Sequence, residues 1–161
     1  MIDTLHNSPG QTRERMLRAL GPDYAYFNAQ RNERHFDPNA VVFSTLLGLL
    51  LAAITAAFKE VGKSLGKAGW NEMLSRLEID TPEDHPDLRK QLDTIKNTEV
   101  TLAQAGSVLS LTEGKALIEN IRSNVEHELL ALRFPAANAH RIARELSVII
   151  EEKLTGNDRS S

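Results

Sequence analysis

The chain contains no cysteine. That removes disulfide staples, thiolate nucleophiles and cysteine-bound zinc, and it leaves the redox compartment open. Aromatic residues are scarce, with one Trp, two Tyr and five Phe, so a core has to be built from aliphatic side chains. Neither sign of charge dominates: 19 basic against 22 acidic residues give a net charge of -3. A phosphate backbone attracts a clear basic excess, so this balance by itself gives no argument for a nucleic-acid partner. The acidic surplus sits in residues 80–161, with ten basic and fourteen acidic groups.

The usual signatures of catalysis are missing as well. There is no HExxH, the G-x-S-x-G spacing of "GKSLG" at 62–66 has no preceding strand to make it a nucleophile elbow, and none of His6, His35, His85, His127 and His140 stands four residues from another. The segment "GKSLGKAG" at 62–69 keeps only the GKS of a phosphate loop, without the preceding glycine spacing or a strand to carry it. In "EDHPD", Glu83, Asp84, His85 and Asp87 form the densest group of metal-capable side chains, but acids in a first helical turn are explained by the helix dipole. In "VEHELL", Glu126, His127 and Glu128 are consecutive, and on a helix consecutive side chains diverge. The expectation is therefore no catalytic site, no metal and no cofactor. The stretch "TLAQAGSVLSLTEGKALIENI" has a helix-turn-helix outline, yet Lys115 and Arg122 stand among Glu113 and Glu119, so it offers no basic reading face.

What the chain does have is helical periodicity almost throughout, with no strand-like alternation between hairpin turns. Ser8 and Pro9 open a helix that Gly21 and Pro22 stop, and "DYAYFNAQRNERHF" at 23–36 predicts a second short one. Asp37 caps an apolar helix. After it, Phe58, Val61, Leu65, Met73 and Leu77 share one face and Lys59, Lys63 and Lys67 another, with a break expected at Gly66 to Gly69. Beyond the acidic, proline-bearing linker at 80–87, Leu88, Leu92, Ile95, Leu102 and Leu109 fall in near-heptad order. Ser110 and Glu113 form a capping box for a helix striped by Ile118, Ile121, Val125, Leu129 and Leu132. "RFPAAN" at 133–138 turns the chain into a last stripe of Ile142, Leu146, Ile149, Ile150 and Leu154. The reading is an all-α protein of about six helices. It comprises a helical N-terminal region (1–39), the apolar helix (40–58), a basic amphipathic helix (59–79), an acidic three-helix antiparallel bundle (82–155) and a tail (156–161).

The apolar stretch, "AVVFSTLLGLLLAAITAAF" from Ala40 to Phe58, decides the functional expectation. It carries no charge, Asn, Gln, His or Pro, and at 1.5 Å per residue it rises about 28 Å, close to the thickness of a bilayer's hydrocarbon. The first nineteen residues hold no apolar segment of a cleavable signal. Most of the aromatic residues cluster between 24 and 70, where they serve either as interfacial anchors or as core packing. Ser44, Gly48, Ala52 and Ala56 form a small-residue row spaced by four, a face on which two helices can approach closely. Lys59, Lys63 and Lys67 form a basic stripe suited to anionic lipid. These features predict a non-enzymatic, single-pass membrane protein that self-associates through the small-residue row, with its bundle in the cytoplasm. Its expected partners are its own copies, lipid and another helical protein, and no nucleic acid. The alternative is a soluble cytoplasmic binding module with 40–58 as its central helix, inserting only when triggered.

Overall fold

The computed structural model describes residues 9–21, 38–65, 70–79 and 88–156. Among them stand six helices: α1 (Pro9–Leu20), α2 (Pro38–Leu65), α3 (Trp70–Ile79), α4 (Leu88–Val108), α5 (Leu111–Ala131) and α6 (Ala136–Thr155). The all-α expectation holds, with one long apolar helix and an antiparallel C-terminal trio. The Ser8 cap, the short helix at 23–36, the Asp37 cap, the break at Gly66 to Gly69, Lys67, the "EDHPD" cluster and the side chain of Lys63 lie outside the described residues.

The helix ends follow local chemistry. Ser110 Oγ accepts the Glu113 N–H at 3.1 Å, and the Glu113 carboxylate accepts the Ser110 N–H at 2.8 Å, so the capping box opening α5 is complete. At the other end, the Arg133 N–H donates to the Leu130 carbonyl (2.9 Å) and the Phe134 N–H to that of Leu129 (3.1 Å). This is a Schellman closure, the usual seat of a left-handed glycine. Here Arg133 takes that conformation, with φ 73°, and Phe134 tucks into the core behind it. Gly156, φ 71°, ends α6.

The core is one continuous cluster. The principal pairings are α5 with α6, α2 with α5, and α4 with α6, so α2 is a fourth wall beside the C-terminal trio. Asn124 of α5 donates to the Ala53 carbonyl of α2 at 3.2 Å. Helix α3 packs against both α2 and α4. At that junction Trp70 stacks on Phe58 with ring centroids 4.8 Å apart and donates its indole N–H to the Phe58 carbonyl at 2.8 Å. Gly62 makes the space, since a Cβ there would overlap the indole. Phe43, Phe58 and Trp70 are all buried; these three aromatic residues pack the core.

On α4 the buried side differs from the near-heptad reading. Leu88 is 52% exposed, while Gln91, Thr98, Thr101 and Ala105 join Ile95 and Leu102 inside. The buried hydroxyls are satisfied within their own helix, Thr98 on the Thr94 carbonyl (2.7 Å) and Thr101 on that of Asn97 (2.9 Å). Gln91 is satisfied by α1 and α2, as described below. Lower on α4, Gly106 lets its backbone lie against the end of α6: a Cβ there would fall inside the Leu154 carbonyl oxygen and 2.8 Å from its carbon.

Candidate functional site

The face of α2 that points away from the core carries the predicted row. Phe43, Leu46, Leu47, Leu50, Leu51, Ile54 and Phe58 are each 6% exposed or less. The outward side is left to Ser44, Thr45, Gly48, Ala52, Thr55 and Ala56, of which Ala52 and Ala56 are exposed and the others half-buried. No Cβ contact would arise at Gly48: nothing lies within 4 Å of the position. Ser44 is the member engaged within the fold, accepting the Gln91 side-chain N–H at 2.9 Å. The row ends at exposed Lys59, the one described side chain of the predicted basic stripe.

This face differs in kind from the other outward surfaces. Helix α5 turns out Lys115, Glu119, His127 and Glu128, and α6 turns out His140, Arg144, Glu145 and Glu151. Over three turns from Ser44 to Ala56, α2 turns out no charge and nothing larger than threonine. Helix α2 is long and apolar enough to cross a membrane, and half of its candidate span, Phe43–Gly62, is buried inside the fold. A helix facing lipid turns its bulky apolar side chains outward; in this fold α2 turns them inward.

A second constellation joins residues that no sequence motif links. Helix α1 lies across α4 and α6, burying Thr12, Met16, Ala19 and Leu20. Arg15 grips Glu152 with both guanidinium nitrogens, at 2.6 and 3.0 Å. Arg13 donates to the Gln91 carbonyl oxygen at 3.1 Å and lies 5.0 Å from the Phe43 ring centroid. Thr12 donates to the Glu99 carboxylate, whose same oxygen lies 3.5 Å from the Lys153 ammonium. Lys153 is almost fully covered, its side chain 7% exposed. Arg141 of α6 closes the far end on the Ala19 carbonyl at 2.9 Å. The signal that could have exposed this seam is the presence of Gln91, Thr98 and Lys153 where the stripes of α4 and α6 call for apolar residues.

Beneath the seam, a cavity of about 30 Å³ is walled mainly by leucine and isoleucine of α2, α4 and α6, with space for about one water-sized group. Two open clefts are larger. One of about 270 Å³ lies at the α4–α5 elbow, between Leu109, Leu111, Ile118 and Leu154 with Lys115 at its edge. The other, about 280 Å³, lies between α1 and α6, lined by Arg15, Arg18, Glu145 and Val148. Among the described residues no three His, Asp or Glu side chains gather as a metal site would require. On the α5–α6 surface Arg122 binds Glu119 at 2.8 Å and Glu126 at 3.1 Å, and His140 lies 3.5 Å from Glu126. The Arg122 hydrogen bond, reinforced by its charge, holds the Glu119 carboxyl below the ordinary glutamate value. No family model, curated protein or solved structure matches the chain.

Proposed function

We propose that this protein is a non-enzymatic helical interaction module that self-associates through the outward small-residue face of α2. The observation that carries the reading is the uncharged, flat strip of Gly48, Ala52, Thr55 and Ala56 on a surface whose other helices present charged side chains. Water has no need of such a face, whereas a second helix does: small residues bring two backbones close and let them pack over several turns. In a two-fold pairing the strip would meet its own copy.

Sedimentation equilibrium of the wild type beside Ala52→Glu and Gly48→Leu tests this. Both positions point outward, so neither change disturbs the core. Ala52→Glu sets like charges face to face, and the association constant should fall by tenfold or more, corresponding to about 1.4 kcal/mol. A wild type that stays monomeric at high concentration, or variants that associate equally well, would sink the proposal.

A second reading keeps the chain on a membrane, as a single-pass anchor with a cytoplasmic bundle and Lys59 toward lipid. Its support is the length and apolar character of Phe43–Gly62. It requires the bundle to open, because the side chains that would meet lipid now form the core. Alkaline carbonate extraction separates the two: retention in the washed pellet supports the anchor, and release favours the soluble module. Leu50→Arg sharpens the result by unfolding the soluble form, where an unpaired buried charge costs several kcal/mol.

A further inference from the structure

We propose that the open cleft between α1 and α6 docks a short acidic peptide segment of a partner protein, one that carries two carboxylates about an apolar side chain. The cleft, of about 280 Å³, takes its walls from both helices: Arg15, Arg18 and Ala19 of α1 face Glu145, Val148 and Ile149 of α6. Arg141 stands at its margin, since it donates both to the Ala19 carbonyl at 2.9 Å and to the Glu145 carboxylate at 3.3 Å. Arg144 precedes Val148 by one helical turn and so shares its side of α6.

The chain as a whole is acidic, yet this region is basic. Of its arginines, Arg15 is committed to Glu152 and Arg141 to Glu145. Arg18 and Arg144 remain. Both are exposed, and neither has an ion pair among the described residues. Arg144 sits in the middle of α6, out of reach of the dipole at either end, so the helix itself gives it no task. One spare guanidinium on each helix, each a planar fork suited to a carboxylate, is the charge complement of two acidic side chains. Beside them Val148 is 49% exposed, above a buried Ile149, and offers an apolar contact for a side chain between the two acids. A denser polyanion fits less well. Glu145 in the cleft and the exposed Glu14, one turn before Arg18 on α1, interrupt the positive surface and would repel a phosphate-covered bilayer or a nucleic acid. A peptide can place its charges at two points and enter a concave site. This surface shares no residue with the α2 face and stands or falls independently of it.

The test titrates the full-length chain into fluorescein-labelled synthetic peptides and reads fluorescence anisotropy. Each peptide holds a central leucine with one glutamate on either side, in a serine and alanine background, and the panel varies the distance between the glutamates. Saturable binding is expected for at least one spacing. Reversing both spare charges, Arg18→Glu with Arg144→Glu, should weaken it by about tenfold or more. Val148→Ser, or serine for the leucine of the peptide, should weaken it by about threefold. Lys115→Glu makes the same kind of charge change on an exposed lysine at the α4–α5 elbow and should leave the affinity within about twofold. Should the double reversal fail to fold by circular dichroism, Arg18→Gln with Arg144→Gln removes the charges without adding acids and should give the same direction of loss. No binding at any spacing, or binding indifferent to Arg18 and Arg144, overturns the proposal. So does an equal loss in Lys115→Glu, which would reduce the effect to general charge attraction. Phosphatidylserine vesicles bound through Arg18 and Arg144 by a chain that ignores every peptide would replace the peptide with a lipid surface, and also overturn it.

Discussion

Replacing Gly106 by alanine sets two physical effects against each other with opposite signs. Helix propensity alone favours the change by about 1 kcal/mol, because glycine in a helix interior carries extra backbone entropy. Packing opposes it: the new methyl would coincide with the Leu154 carbonyl oxygen and lie 2.8 Å from its carbon, and backbone atoms have no rotamer to yield. Helices α4 and α6 must separate along a principal contact of the core, an overpacking cost of about 3 kcal/mol at the upper end of the usual range. The net loss of about 2 kcal/mol should lower Tm by roughly 4–8 °C for a chain of this size. Gly48→Ala is the matched control, since nothing lies within 4 Å of its added methyl. There only propensity acts, and stability should rise by about 0.5–1 kcal/mol. Thermal unfolding followed by helical circular dichroism, with urea titration to confirm an unchanged m value, measures both. A Gly106→Ala protein as stable as the wild type would refute the close approach of α4 to the end of α6.

Three further outcomes can be checked on the same footing. Lys153→Met strands Glu99 in a largely covered site and should cost about 2–4 kcal/mol in urea titrations, and adding Glu99→Gln should recover most of it. Arg133→Gly relieves a left-handed non-glycine residue at the α5 terminus and should stabilise by about 1 kcal/mol; a loss would mean that the Arg133 side chain contributes more than its backbone strain. Glu119 should titrate by NMR at a lower pH than an ordinary glutamate, and Arg122→Gln should return it to normal. Because its folded-state value is depressed, the stabilisation it brings is present above the unfolded-state value and fades as pH falls through the folded one; an unchanged midpoint in Arg122→Gln would show that Arg122 is not the cause.

The parts of this fold that could be read in the sequence are those set by local pattern. The last stripe, Ile142, Leu146, Ile149, Ile150 and Leu154, is buried throughout, and the Ser110–Glu113 box caps its helix as its spacing predicts. On α5, Ile121, Val125 and Leu129 are buried, but Leu117 lies inside in place of the half-buried Ile118, a rotation that periodicity alone cannot resolve. On α4 the pattern pointed to Leu88, whereas the fold chose Gln91 and Thr98, since α1 brings polar partners to that side. Such a pairing depends on tertiary approach: the pattern of a single helix shows a polar residue at a stripe position, not the partner that satisfies it. The small-residue row was legible as a row. Its outward direction was not, because a helix with leucine on most of its circumference gives little indication of which side the bundle will take.

The long reach of α1 also sets an order of events. Helices α5 and α6 are joined by a turn at 132–135 and can meet early, since closing so short a loop costs little entropy. Arg15 and Glu152 can meet only after a loop of 137 residues has closed, so the expected order puts α1 docking late, after the folding barrier, which folding and unfolding rates of Arg15 variants would check. Loosening the Arg15 fork should therefore speed unfolding by nearly its full energetic effect and leave the folding rate almost untouched. Damage at Leu129 or Phe134 should slow folding itself. The lifetime of the native state would then be governed by a twelve-residue helix at the opposite end of the chain from the hairpin that starts the fold.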